Sequence, residues 1–398
     1  MIYEFKKWWG YHSIRFLILF IFLCPVVVSL IFINGAESYE LERSEVETRT
    51  GIDALRNASY GEKSKEEYLS IEKIRIPLLY LKENWEDEDT YKTMEAKFPE
   101  YYHILYEAYE SPINGKEHNI KNAKAENFYE EVNARRKERM GIEQSRELEI
   151  DDLSWLNKIE ERIQDPFVIG ETNSWVVLIK SLYLSLTCLT FLLLLLGNFI
   201  FGIDREQKME EILFAKGGNA HLLKRKKINA YLLISLLALI YDSLVCIFMI
   251  KIIGGKLPDI SIQIIPQLLI SPYMMSSWTM LVTYLLMAFM GIGAIIIMNS
   301  IISSGFSNSV ISALVSITVL CICLYLKNRT YTGIGLQQLV LILPSSSIDI
   351  LRILSVVSFV DLFGLKISLF GLAIVINMGI ALAGYISYIK VNYKQPYS

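Results

Sequence analysis

The chain has 398 residues, 53% of them hydrophobic, a formal net charge of −3 and a mean hydropathy of +0.35. Its apolar residues are blocked into stretches of about twenty rather than scattered, which excludes a soluble globular enzyme and predicts a polytopic membrane protein. The five cysteines, Cys24, Cys188, Cys246, Cys321 and Cys323, all lie in apolar stretches, so neither a disulfide framework nor a zinc pattern is available, and nothing in the charge points to nucleic acid.

Residues 1–15 form a short aromatic and basic lead. Lys6, Lys7, Trp8 and Trp9 are expected as membrane-interface anchors on an interfacial helix, with indoles in the headgroup layer and ammoniums outward, or simply as a flank orienting the first span. The first apolar span is 16–33, kinked at Pro25; no small-residue cleavage site follows it, so it reads as a signal anchor with a cytoplasmic N-terminus. Residues 34–174 carry 33 Asp/Glu against 20 Lys/Arg and no long apolar run. They are expected to form a large, mainly helical domain on the extracytoplasmic side. Helical patterns run over 63–85, with Pro77 inside, over 119–140 and over 147–163, and Pro99 precedes a tyrosine-rich stretch better suited to packing than to a ligand. His103 and His118 show no metal-ligand spacing.

The second span is 175–201, with Lys180 near its outer end. Residues 202–227 then form a short basic loop holding seven Lys/Arg against four acids, which a positive-inside bias keeps in the cytoplasm. Its first half has a helical pattern that Gly217-Gly218 stops; it is either a solvated loop or an amphipathic helix docking a soluble partner. The third span is 228–253, the fourth 273–298 and the fifth 306–326, with 299–305 expected as a tight inner turn. Residues 336–360 are apolar but broken at Pro344-Ser345-Ser346-Ser347, the pattern of re-entrant or interfacial helices under protein cover. The sixth span is 367–389 and leads to a cytoplasmic C-terminus. The fold class expected is therefore mainly α: a polytopic protein with six transmembrane helices, multi-pass in the plasma membrane of a bacterium, with the 34–174 domain between spans 1 and 2.

Candidate chemistry is sparse. No G-x-x-x-x-G-K-[ST] phosphate loop, H-E-x-x-H or nucleophile elbow occurs, so no enzyme, catalytic residue, metal site or cofactor of its own is expected. Asp242 is the one acid well inside a span. It either lines a transport path or makes an interhelical hydrogen bond to a Ser or Thr such as Thr187 or Thr190, with Lys180 a distant ion partner. Ser276-Ser277, Ser303-Ser304 and Ser345 to Ser347, with Gly291 and Gly293, suit close helix packing more than a polar path.

In four features the chain resembles the permease subunits of type-2 ABC exporters. These are the interfacial N-terminal segment, six spans with a large insert after the first, the inner loop between spans 2 and 3, and the broken apolar segment around LILPSSS before span 6. In the inner loop Glu206, Glu210, Glu211, Ile212, Leu213 and Lys224 to Lys227 take places comparable with the family's acid, paired-leucine and basic positions. Lys208-Met209 stands where Gly-Thr is usual, and Gly217-Gly218 where Pro is usual. The resemblance implies two permeases, identical or a sibling pair, joined to two soluble ATPase subunits that bind ATP. It implies a coupling helix (Glu206, Glu210, Glu211, Ile212, Leu213, Lys216) docked on the ATPase, and a hydrophobic or amphipathic cargo such as a peptide antibiotic, drug or lipid. A membrane sensor or immunity protein signalling through the inner loop is the alternative. An ion-coupled carrier would carry more intramembrane charge and symmetric broken repeats.

Overall fold

The computed structural model describes residues 8, 10–34, 37–42, 45–50, 67–83, 99–109, 123–144, 148–161, 163, 166–170, 172–206, 220–306, 308–327, 334–362 and 365–390. Helix α1 (His12–Asn34) is followed by a hairpin of β1 (Glu37–Glu42) and β2 (Glu45–Thr50), then β3 (Glu67–Tyr68), α2 (Ile71–Glu83), α3 (Pro99–Tyr109), α4 (Phe128–Gln144) and α5 (Ile150–Glu160). Strand β4 (Val168–Ile169) pairs antiparallel with β3. Helices α6 (Asn173–Glu206), α7 (Ala220–Ile252), α8 (Ser277–Gly305) and α9 (Ser309–Lys327) come next. A broken segment follows, made of α10 (Ile334–Ile342), a 3-10 turn (Pro344–Ile348), α11 (Ile350–Leu354) and the antiparallel hairpin β5 (Phe359–Leu362) and β6 (Leu365–Ser368). Helix α12 (Leu369–Lys390) ends the described chain.

Among the described residues six helices, α1, α6, α7, α8, α9 and α12, are long and apolar enough to cross a membrane. The chain is mainly helical and has the build of a multi-pass membrane protein. Helix α6 is the innermost: it packs against α1, α7, α8 and α9. Helix α8 packs against α6, α9, α12 and the 3-10 turn. The outer helices α1, α9 and α12 leave large apolar side chains such as Phe16, Leu314 and Leu382 exposed, as a lipid-facing surface requires.

Pro25 sits inside α1 and lacks the N–H that would close its turn. The Phe22 carbonyl of the same helix accepts from the Tyr241 hydroxyl of α7 at 3.2 Å, and the two rings meet edge to face. This contact ties α1 to α7.

The expected inner turn over 299–305 is instead helix. Ser300 and Ser304 satisfy their hydroxyls on the Ile296 and Ile301 carbonyls of their own helix, so neither offers the backbone an exit. The chain leaves the helix after Gly305, and Asn308 starts α9 by accepting the Val310 and Ile311 N–H groups at 2.8 and 3.3 Å. Asn299 and Ser303 are buried in consequence.

The segment between α1 and α6 builds its own apolar cluster from Ile74, Leu78, Leu105, Phe128 and Val132, and Ile264 and Leu269 of the α7–α8 connection join it. Helix α2 begins where Ser70 Oγ accepts the Lys73 N–H, and α3 begins on Pro99, whose missing N–H is harmless in a first turn. Helix α2 thus starts several residues inside the periodic stretch 63–85, because amphipathic pattern continues past a cap that the backbone obeys. Tyr109 is packed, as its position among apolar neighbours requires; its hydroxyl reaches the Lys124 carbonyl at 3.1 Å.

Candidate functional site

Two polar constructions stand out. The first lies between spans. Asp242 of α7 is 1% exposed and accepts the Ser185 hydroxyl of α6 at 2.6 Å; its second oxygen has no hydrogen-bond partner. Thr187 and Thr190 do not reach it. Both bond back to their own helix, on the Tyr183 and Leu186 carbonyls at 2.7 Å. Lys180 is exposed. Near Asp242, Ser29 of α1 donates to Cys246 of α7 at 3.5 Å. The five cysteines are free thiols.

Farther along α6, Asn198 donates to Asn299 of α8 at 3.1 Å and accepts from Ser312 of α9. Asn299 in turn donates to the Leu194 carbonyl at 3.2 Å. Tyr231 of α7 donates to the Leu193 carbonyl. This buried layer binds four spans through amides, and each amide is matched by a partner. It was legible only as single Asn residues in apolar runs.

The second construction is the broken segment. Its 3-10 turn, Pro344–Ile348, is entirely buried. It touches four of the six spans, α6, α8, α9 and α12. The turn meets α8 at Gly291, halfway along that helix. A Cβ there would sit 2.5 Å from the Pro344 carbonyl oxygen and 2.7 Å from Ser347 Cβ, so only a glycine admits the turn at that depth. Gly293 faces open space and has no such role. Irregular backbone inside a membrane bundle needs internal partners. The Tyr284 hydroxyl binds the Ile348 carbonyl at 2.7 Å, Asn377 of α12 donates to Ser347 at 2.7 Å, and Ser346 donates to the Val340 carbonyl at 2.6 Å.

The far end of this turn is held by charge. Lys327, the last residue of α9, is fully buried and pairs with Asp349 at 2.9 Å. Its ammonium also lies 4.5 Å from the centre of the Tyr183 ring and donates to the Tyr183 hydroxyl at 3.2 Å. Asp349 spends its other oxygen on the Arg352 N–H, capping α11. Nothing in the spacing marked Lys327 beyond its place at the end of an apolar run.

The α2–α5 unit grips both neighbouring connections. Glu107 accepts the Gln267 N–H at 2.5 Å, and Gln267 is held at φ 73°, a conformation a non-glycine residue adopts rarely. Burial pushes the Glu107 carboxyl up to about 7, opposed by the Gln267 and Leu269 N–H groups and the nearby Arg135 charge. Arg136 donates to the Ile270 carbonyl at 3.1 Å. On the other side Glu143 accepts the Val357 and Ser358 N–H groups at 2.9 and 3.0 Å and Arg139 at 2.9 Å. Gln144 donates to the Phe359 carbonyl at 2.9 Å, and Lys366 pairs with Asp152 at 2.5 Å. Burial raises the Glu143 carboxyl, against the pull of Arg139.

Of the residues assigned to partner docking, Glu206 ends the described part of α6. Glu210, Glu211, Ile212, Leu213 and Lys216 lie outside the described residues, as do Lys6, Lys7 and Trp9. Trp8 is 3% exposed and belongs to the main apolar cluster with Ile14. No cluster of His, Cys, Asp or Glu among the described residues has the spacing of a metal site. No protein-family model matches the chain, and neither a curated protein nor a solved structure matches it.

Proposed function

We propose that this chain is the membrane-spanning permease subunit of an ATP-driven exporter of the type-2 ABC class, moving a hydrophobic or amphipathic cargo. The observation that carries the reading is the buried turn Pro344–Ile348, docked halfway along α8 at Gly291 and wedged among four spans. A broken outer segment inserted into the bundle is one of the features that carry the family resemblance, and a protein that only anchors or only senses has no need of it. The α2–α5 unit is gripped to both flanking connections, so a movement of the spans is carried into it through Glu107 and Glu143. Energy would come from ATP on a separate ATPase subunit bound at residues 206–216, and a second permease, a copy or a sibling, would complete the path.

In this reading residues 34–174 are extracytoplasmic, both termini are cytoplasmic, and the membrane is the bacterial plasma membrane. The test is purification of the tagged chain from its host in mild detergent, with vanadate-sensitive ATP hydrolysis as the readout. The native chain is expected to bring an ATPase subunit and its activity, and Glu210→Arg/Glu211→Arg to lose both. A native preparation that hydrolyses no ATP, and holds a non-ATPase partner or none, would overturn the exporter reading in favour of a membrane sensor.

A further inference from the structure

Serine and threonine hydroxyls inside these spans are normally closed on their own helix. Ser235, Ser243, Ser300 and Thr318 each donate to the carbonyl four residues earlier, at 2.8 or 2.9 Å. Ser29, Ser185 and Ser312 instead donate to a neighbouring helix, and a few buried serines, Ser316 and Ser345 among them, donate to nothing. Ser316 of α9 and Ser345 of the 3-10 turn are 3% and 2% exposed, and neither hydroxyl has a hydrogen-bond partner. Both border the same cavity, of about 130 Å³. Its remaining walls are largely apolar and include Leu194, Ile295, Met298, Val319, Leu320 and Ile380, from α6, α8, α9 and α12.

The volume would hold about four waters at roughly 30 Å³ each, and each water needs two to four polar partners. Two open hydroxyls cannot hold that many, and the one amide on the wall, Asn299, is already engaged with Asn198 and the Leu194 carbonyl. Methylene groups of similar size fit the walls and need no partner. The two hydroxyls still lack an acceptor, and in hydrocarbon surroundings an unmade hydrogen bond is costly. Met298 and Val319, on the rim, are 42% and 40% exposed on the apolar flank of the bundle, so the cavity opens sideways toward lipid.

We propose that this cavity is a binding site for an alkyl chain bearing one hydrogen-bond acceptor, an ester or amide carbonyl, which reaches Ser316 and Ser345 laterally from the bilayer. The site goes beyond the transport reading and holds whether or not the chain exports a cargo. A bilayer lipid ester and an acylated solute share this chemistry.

The full chain is reconstituted in phosphatidylglycerol vesicles with one of two photoprobes. One is a phosphatidylglycerol carrying a diazirine on one acyl chain; the other is an alkyl amide with the same diazirine chain. Adducts are mapped by peptide mass spectrometry. Saturable labelling is expected on the peptides spanning 295–302 and 316–323, competed by the unlabelled form of the same probe. Saturation by the lipid probe identifies a bilayer lipid; saturation by the amide alone identifies a solute. Ser316→Phe fills the cavity and is expected to abolish the saturable part. Ser316→Ala/Ser345→Ala removes only hydroxyls that no protein group partners, so its melting temperature is no lower than that of the native chain, while probe affinity falls by about 2- to 10-fold, the worth of one net hydrogen bond. Labelling that never saturates, spreads evenly over the lipid-facing helices and is unchanged in both variants would overturn the proposal and leave a wet or empty cavity.

Discussion

Asp242 illustrates how a single charge-bearing side chain is accommodated at residue scale. It has one donor, Ser185 at 2.6 Å, and one oxygen without a partner, in a junction of three spans. A carboxyl group placed inside a span is costly unless packing brings it a donor, and Ser185 is that donor. Asp242→Asn keeps a neutral acceptor for Ser185 and is expected to melt within a degree or two of the native chain. Asp242→Ala leaves Ser185 unpaired and is expected to lose about 1–3 kcal/mol, read from thermal unfolding in detergent.

Glu107 carries a pH dependence of defined sign. Its folded carboxyl titrates near 7, raised from the ordinary 4.5 by burial. Between those values the folded chain binds a proton that the unfolded chain does not, so stability falls as pH rises through this window and grows as pH drops. Lowering pH from 8 to 5 is expected to raise the local unfolding free energy of α3 and the 265–270 turn, measured by hydrogen exchange. Glu107→Gln should remove its share of that slope; an unchanged slope would place the titration elsewhere, with Glu143 the next group to test. Neither carboxylate role was visible in the sequence, because both depend on backbone N–H groups some 160 and 214 residues away.

At the scale of elements, the 3-10 turn and α8 depend on each other. Gly291→Val would push a branched side chain into the Pro344 carbonyl and Ser347. Overpacking of this kind costs about 1–3 kcal/mol, and the expected result is an undocked turn, detected as new protease cleavage within 334–354 while the six spans remain helical. Lys327→Met removes the cation opposite Asp349. Breaking a buried pair on one side costs about 3–5 kcal/mol, and the double change Lys327→Met/Asp349→Leu is expected to recover much of it. The chain breaks into the buried 3-10 turn at the Pro-Ser run between apolar flanks, where proline cannot continue a helix interior. The sequence pattern predicts a turn at 299–305, where no proline is present and where burial of Asn299 against Asn198 holds the helix straight on.

For the whole molecule six described helices are long and apolar enough to cross a membrane, and the proposed sidedness is separately testable. All five native cysteines lie within spans, so introduced cysteines can be read against a low background. Tyr106 is 37% exposed on α3 and Lys226 is exposed at the start of α7. Tyr106→Cys is expected to react with a membrane-impermeant maleimide on intact cells, and Lys226→Cys only after lysis. The opposite pattern would invert the topology and set the α2–α5 unit in the cytoplasm.

The sequence by itself determined the number of spans, the acidic insert and the broken segment before the last span. Those are properties of composition and local hydropathy, which lipid selects residue by residue along the chain. Only the tertiary structure decided which polar groups meet. Asp242 chose Ser185 over two nearby threonines because those threonines were already closed on their own helix. Lys327 found Asp349, and Asn198 found Asn299, across distances in sequence that no spacing rule encodes. In a bundle without water, a polar side chain takes the acceptor that packing brings to it, and packing is a property of the assembled helices rather than of any one of them.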